Sequence, residues 1–443
     1  MRMLARLKNS RLHFLFNLKD EKAKGRCVML TSSLLTSLVS ILTGGLFYTS
    51  FLIANGIDLV KVGIISFVPF IANLFSVFSP SILERFEKRR WVLAGGRLAY
   101  HTLNILGITL MPMLVRDQQL KMILFVVIVF AANIVSALFS SGYTAWHLHF
   151  IPNEIRAEYF SASSAISGML CYAFALVFSA VADAFSASPY AQTVIVILRL
   201  LGYVLALVEI AVLLSPVEYP YERSGAHPRL RDIVTKPLSH KKFMMTMLVV
   251  FLYTFGANVP ASALNYYLVN DVKVSYTLIQ FLNLCYPVCM ILLMRYWQRI
   301  IRRFGWLRTF AVSLLMTAPT VLAYSCVTAG NYLWLLTAVR LSQHVIMMGM
   351  NIAYSNMSFL NMPREDQTNY IAFNTITANL AAFLGMMCGT WFVGRFPSLS
   401  VTLLARQFGS VQVLMWFEAL MQVAVACLVF ARYKSMTPDD SNE

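Results

Sequence analysis

A chain of 443 residues would ordinarily suggest two or three soluble domains, yet 58% of this one is hydrophobic and only 13% is charged. Soluble proteins carry roughly twice that share of charge, and the apolar residues here come in runs of about 18 or more, enough to cross a hydrocarbon core. The formal charge of +16 does not indicate nucleic acid: Lys and Arg sit in short loops between apolar runs, and no basic stretch is interleaved with aromatics outside the membrane.

In chain order, residues 1–27 form a basic tail with neither the apolar centre nor the small-residue cleavage site of a signal peptide. Twelve spanning segments follow. The first six are expected at 28–53, 60–82, 91–114, 120–146, 159–182 and 191–214. The rest are expected at 243–268, 275–295, 307–328, 331–359, 369–393 and 410–431. Lipid offers the backbone no hydrogen bonds, so each span should be a helix, and no alternating pattern favours a barrel. The interval 215–242 holds Pro216, Pro220, Pro228 and Pro237 and reads as a linker. The expected fold is therefore all-α. A tail (1–27) precedes a six-helix bundle (28–214), a linker (215–242), a second six-helix bundle (243–431) and a tail (432–443).

Lys and Arg number 28 on the side of the termini and linker and 6 on the other, with Arg199 and Arg340 counted inside helices. That bias places both termini in the cytoplasm of a multi-pass protein of the plasma (inner) membrane.

Two landmarks recur in order. The loop after the second segment reads Ile82-Leu83-Glu84-Arg85-Phe86 with Arg90 beyond it; the loop after the eighth reads Ile300-Ile301-Arg302-Arg303-Phe304 with Arg308 at the same distance. Pro152, Glu154 and Tyr159 after the fourth segment are matched in spacing by Pro363, Glu365 and Tyr370 after the tenth. Both argue for a duplicated unit of one orientation, an arrangement used by transporters.

On these residues the chain resembles the major facilitator superfamily, which carries a pattern close to Gly-x-x-x-Asp-Arg-x-Gly-Arg-Lys after helices 2 and 8. The corresponding positions here are Pro80, Glu84, Arg85, Glu87, Lys88 and Arg89, then Gln298, Arg302, Arg303, Gly305, Trp306 and Leu307. The acid and Arg survive in the first half and both glycines are lost; in the second half Arg302 replaces the acid. The resemblance implies that Glu84, Arg85, Arg89 and Arg303 belong to a cytoplasmic gate. It also implies that helices 1, 4, 7 and 10 line a central cavity.

An ionisable group within a span costs about 3 kcal/mol on insertion scales and asks for a reason. Arg340 and His344 are four residues apart on the tenth segment, hence on one face. They could present a cationic face to a solute, or Arg340 could pair with Glu418. Arg199 and Glu209 on the sixth segment are ten residues apart, roughly 15 Å, too far to pair, and read as packing residues. Further candidates for solute contact are Asn351, Asn258, Asn265 and Tyr266 near a break at Pro260, with Asn133, Tyr143 and Trp146. Ser33, Ser37, Ser40 and Gly44 form a small polar stripe on the first segment. Gly385-x-x-x-Gly389 suits intramolecular helix packing.

The seven cysteines form no metal-type spacing, and His147 and His149 have no acid or metal partner pattern. No phosphate loop or nucleophile elbow is present. The sequence therefore predicts no enzyme, no metal and no cofactor. It predicts a monomeric secondary transporter, or permease, that moves a small polar or anionic solute by alternating access in the bilayer. The coupling ion is unspecified. A drug or lipophilic-cation exporter, or a non-transporting sensor or scaffold of the same fold, is the alternative.

Overall fold

In a computed structural model, residues 21–83, 85–151, 156–215, 230–357, 361–362, 367–403 and 406–437 are described. Among them, eleven helices are long and apolar enough to cross a membrane.

The first span is bent, with α1 (Glu21–Thr43) and α2 (Gly45–Ala54) meeting at Gly44. The next, α3 (Leu59–Asn73), opens on Asp58, whose side chain accepts from the Lys61 N–H at 2.9 Å as an N-cap. Burial pushes the Asp58 carboxyl up, but the Lys61 side chain, its N–H and its charge outweigh this and hold it below the usual carboxylate range. A 3₁₀ turn (Leu74–Phe78) and α4 (Ser79–Leu83) complete that stretch. Where the third span is expected, the chain runs as α5 (Arg90–His101), a π-helical turn (Thr102–Gly107) and α6 (Ile108–Leu114). Then come α7 (Gln118–His149), α8 (Arg156–Ala184) and α9 (Ala191–Leu213).

A short α10 (Leu230–Ser239) leads into α11 (Lys241–Asn258), which breaks at Val259–Pro260 before α12 (Ala261–Tyr266) and a π turn (Tyr267–Asp271). Pro260 has no N–H to continue the ladder, so the break falls where the sequence placed it. Next are α13 (Tyr276–Phe304), α14 (Trp306–Ser325), α15 (Tyr332–Met357) and α16 (Gln367–Arg395). Gly305 alone separates α13 from α14; its φ of 79° is open to glycine at little cost. After α16 comes a feature the all-helical expectation lacked. A hairpin of β1 (Val401–Leu403) and β2 (Arg406–Phe408) pairs antiparallel with Val401 opposite Phe408. The chain then forms α17 (Ser410–Ala431) and α18 (Tyr433–Met436).

By internal packing the chain forms two compact units: Met1–Gly56 with Phe75–Gly225, and Ile57–Leu74 with Ala226–Glu443. The second therefore takes in α3, which sequence order would assign to the first bundle. The reason is α3's packing on α16. A Cβ on Gly63 would lie 2.2 Å from Thr390 Oγ1, and the Phe67 and Phe383 rings meet edge-on at 5.3 Å.

The core of the first unit gathers Met29, Leu93, Trp146, Phe150 and Leu213. In the second, Phe310, Leu314, Met350, Val425 and Val429 interleave with fully buried Ala311, Ala353 and Ala426. Lipid tails are as apolar as leucine, so close approach over small residues, rather than escape from water, holds such helices together. Gly385 and Gly389 of α16 show this directly: a Cβ there would lie 2.4 Å from Phe255 O and 1.9 Å from Val259 O of α11 and its break.

Candidate functional site

In the second unit, Arg340, His344 and Asn351 do share one face of α15, and that face is turned toward α13. Half-buried Arg340 donates through Nη2 to Asn283 Oδ1 at 2.8 Å. Buried His344 lies 2.8 Å through Nε2 from Leu282 O, beside the Tyr286 ring. Asn351 donates to the Tyr286 hydroxyl at 3.0 Å. Trp297 Nε1 extends this polar seam by donating to Val345 O at 3.0 Å. Asn283 and Tyr286 were missed in the sequence, although their i, i+3 spacing marks one helical face. Glu418, considered as a partner for Arg340, instead accepts from Gln422 Nε2 at 3.0 Å on its own helix. Arg340 has no carboxylate within salt-bridge distance among the described residues.

Asn258 is spent locally, donating to Thr254 O at 2.8 Å. Asn265 and Tyr266 are half-buried just beyond the Pro260 break. Their neighbour Tyr267 is buried and bonds Val327 O at 2.6 Å, so it fastens the π turn after α12 to the loop after α14.

The first-unit candidates separate similarly. Asn133 bonds its own helix at Val129 O, 2.8 Å away. Trp146 is 4% exposed in the apolar core. Tyr143 donates to Leu93 O at 2.7 Å and presents its ring face to the Arg97 guanidinium at 4.4 Å.

Arg97 is the principal residue that sequence reasoning missed, having been counted among loop charges. It lies within α5 and forms an ion pair with buried Glu209 of α9. Arg97 also donates to Thr36 Oγ1 at 3.1 Å, and Ser32 donates to the same Glu209 Oε1. The other carboxylate oxygen, Oε2, is buried without a hydrogen-bond partner. The signal was available: a buried acid needs a cation, Arg199 is out of reach, and Arg97 falls in an apolar-flanked stretch.

Arg199 is fully buried. Its guanidinium donates to Thr109 Oγ1 and Thr43 O, both at 2.9 Å, and to Asn104 O at 3.4 Å, between the rings of Tyr48 and Phe51. Thr43 ends α1 at its bend and Asn104 lies in the π turn, so the arginine satisfies carbonyls at two helix irregularities. This is a packing role, as its place in the sequence suggested.

Of the gate candidates, Glu84 lies outside the described residues, as do Pro152, Glu154, Pro363 and Glu365. Arg85 and Arg303 are exposed. Arg303 lies over the Phe304 ring at 5.4 Å, and Arg89 donates to Phe86 O at 3.3 Å.

Residues 246–443 match the sequence profile described as Major Facilitator Superfamily. No curated protein sequence matches the chain. Among solved structures, a mutant form of the nucleoside transporter NupG superposes with a TM-score of 0.68 at 13% identity, covering 93% of this chain and 100% of the other. A POT family transporter in complex with a thioalcohol-conjugated peptide gives 0.65 at 13% identity over 94% and 97%. A D-xylose–proton symporter gives 0.64 at 14% identity over 94% and 98%. The family match is confined to the second half of the chain, while the fold shared with these solved transporters runs along nearly its whole length.

Proposed function

We propose that this protein is a secondary transporter that moves a small polar or anionic solute by alternating access. It would work as a monomer in the plasma (inner) membrane with both termini cytoplasmic. The fold, and the family match over residues 246–443, support the carrier class. The observation that carries the solute class is Arg340, a half-buried intramembrane cation whose hydrogen-bond partner is the neutral amide of Asn283. A guanidinium in a span costs about 3 kcal/mol, and an anionic or hydroxylated solute would offset part of that cost. Asn283 bonds it, His344 stands one turn along α15, and Tyr286 and Asn351 continue the same polar seam toward the end of α15, all groups able to bond the rest of such a ligand. The similar structures are named as carriers of a nucleoside and of D-xylose, which is compatible with a polar cargo. Glu84, Arg85, Arg89 and Arg303 are proposed to gate it from the cytoplasmic side.

The test is a thermal-shift screen in detergent against sugars, organic acids, nucleosides and lipophilic cations, since a ligand that binds the folded state raises its stability by mass action. A stabilising sugar, acid or nucleoside whose effect disappears in Arg340→Ala supports the reading. Stabilisation by lipophilic cations alone overturns the solute class in favour of drug export. Absence of flux of a confirmed ligand in reconstituted vesicles would make the chain a sensor rather than a carrier.

A further inference from the structure

The charge of α13, α14 and the end of α17 is one-sided. No acidic residue occurs between Asp271 and Glu365, whereas Arg299, Arg302, Arg303 and Arg308 gather around the Gly305 turn. All four are exposed, as are Arg432 and Lys434 just past α17. Among the described residues none of the six lies within salt-bridge distance of a carboxylate. Glu418 stands fourteen residues before Arg432 on α17, roughly 21 Å along a helix. The acids Asp439, Asp440 and Glu443 lie outside the described residues.

Beside this basic rim a crevice of about 250 Å³ opens between α13, α14 and α17, walled by Trp297, Ile300, Phe304, Val312 and Phe430, with Arg308 and Thr309 as its polar residues. It is smaller than the roughly 300–1,000 Å³ of pockets that enclose a solute. Phe304, Val312 and Phe430 are each more than 40% exposed, so the crevice opens outward from the unit. Its floor is held firmly: Trp297 is tied to Val345 O and seated so closely over Gly349 that a Cβ there would meet the indole at 2.2 Å. At its mouth the Arg308 guanidinium lies over the Tyr433 ring at 4.5 Å. That face contact positions the cation while leaving its N–H edge for an oxyanion.

We propose that this crevice binds an anionic phospholipid of the surrounding bilayer, with one acyl chain against Trp297 and Phe430 and the phosphate on Arg308 and its neighbouring arginines. Hydrocarbon walls in a spanning region call for a lipid tail, and a rim of guanidinium groups calls for a phosphate. A zwitterionic headgroup would bring a second cation to a rim where the described residues offer no acid to receive it. The proposal is independent of the transported solute.

The experiment adds dioleoyl phosphatidylglycerol, dioleoyl phosphatidylcholine or inorganic phosphate to the purified full chain in neutral detergent and follows the unfolding temperature. Phosphatidylglycerol should raise it saturably, well beyond the other two. Arg308→Gln should weaken the apparent lipid affinity roughly fivefold, the worth of one surface cation, and Arg308→Lys should retain most of it. Val312→Trp, at an exposed position, should fill the crevice and reduce the effect without removing charge, and it serves should Arg308→Gln fail to fold. Equal stabilisation by both lipids, reproduction of the effect by inorganic phosphate, or an undiminished response in Arg308→Gln or Val312→Trp would overturn the proposal.

Discussion

Removing one partner of the Arg97–Glu209 pair should cost more than removing both. Glu209 is 1% exposed and the Arg97 side chain 15%, so neither charge is dissolved by solvent when its partner goes. Breaking a buried ion pair costs about 3–5 kcal/mol, mostly as the burial of an unmatched charge. The lower end applies here, because in Glu209→Gln the guanidinium keeps Thr36 and the Tyr143 ring. Each single variant, Glu209→Gln or Arg97→Met, should therefore lose about 3 kcal/mol. The double variant Arg97→Met/Glu209→Leu removes both charges, and the Ser32 hydroxyl can turn to a carbonyl of its own helix. Its loss should stay within about 1 kcal/mol, giving a coupling of about 5 kcal/mol or slightly more. Denaturation of the purified variants in mixed micelles measures it. A double variant as unstable as the sum of the singles would refute the reasoning, since additive losses mean that the two residues do not support one another.

Three further outcomes follow from particular contacts. Gly389→Ala should destabilise by about 3 kcal/mol, the upper range for overpacking, because its Cβ meets a backbone oxygen that cannot swing aside; Gly394→Ala, facing only Val60 side-chain atoms at 3.2 Å, should be close to neutral in the same assay. Arg199→Lys should lose about 2 kcal/mol despite keeping its charge, since an ammonium cannot span Thr109, Thr43 and Asn104 or stack on two rings; thermal unfolding reads it. The Asp58 cap of α3 has its folded-state pKa held down, so its contribution is complete above the usual carboxylate range and vanishes as pH falls through the folded value. The protection factor of the Lys61 amide, its exchange rate taken relative to the intrinsic rate at each pH, should fall on that acid limb in the wild type and stay level in Asp58→Asn, which caps without a titrating charge.

Spans, breaks and charge asymmetry could be read directly from the sequence because each is local: an apolar run must satisfy its own backbone, and Pro260 cannot donate wherever it stands. The shared face of Arg340, His344 and Asn351 was equally readable, since helical periodicity settles it. What that face meets was not. Asn283, Leu282 and Tyr286 lie some sixty residues away in sequence, and only the packing of α13 on α15 brings them to it. Glu418 looked a suitable partner by depth, yet its carboxylate accepts from Gln422 one turn along its own helix instead. Arg97 was misplaced for a related reason. A basic residue a few positions past a loop looks like part of that loop until a buried acid on another helix claims it.

By itself, then, the sequence determined that the chain is a helical membrane protein, that the seventh span breaks at Pro260, and which residues share a face. These follow from hydrogen bonding and side-chain periodicity within each segment. Only the tertiary structure decided the partners of the buried charges and the packing of α3 on α16. Those depend on the rotation and close approach of helices, which in lipid are set by steric fit rather than by apolar pattern.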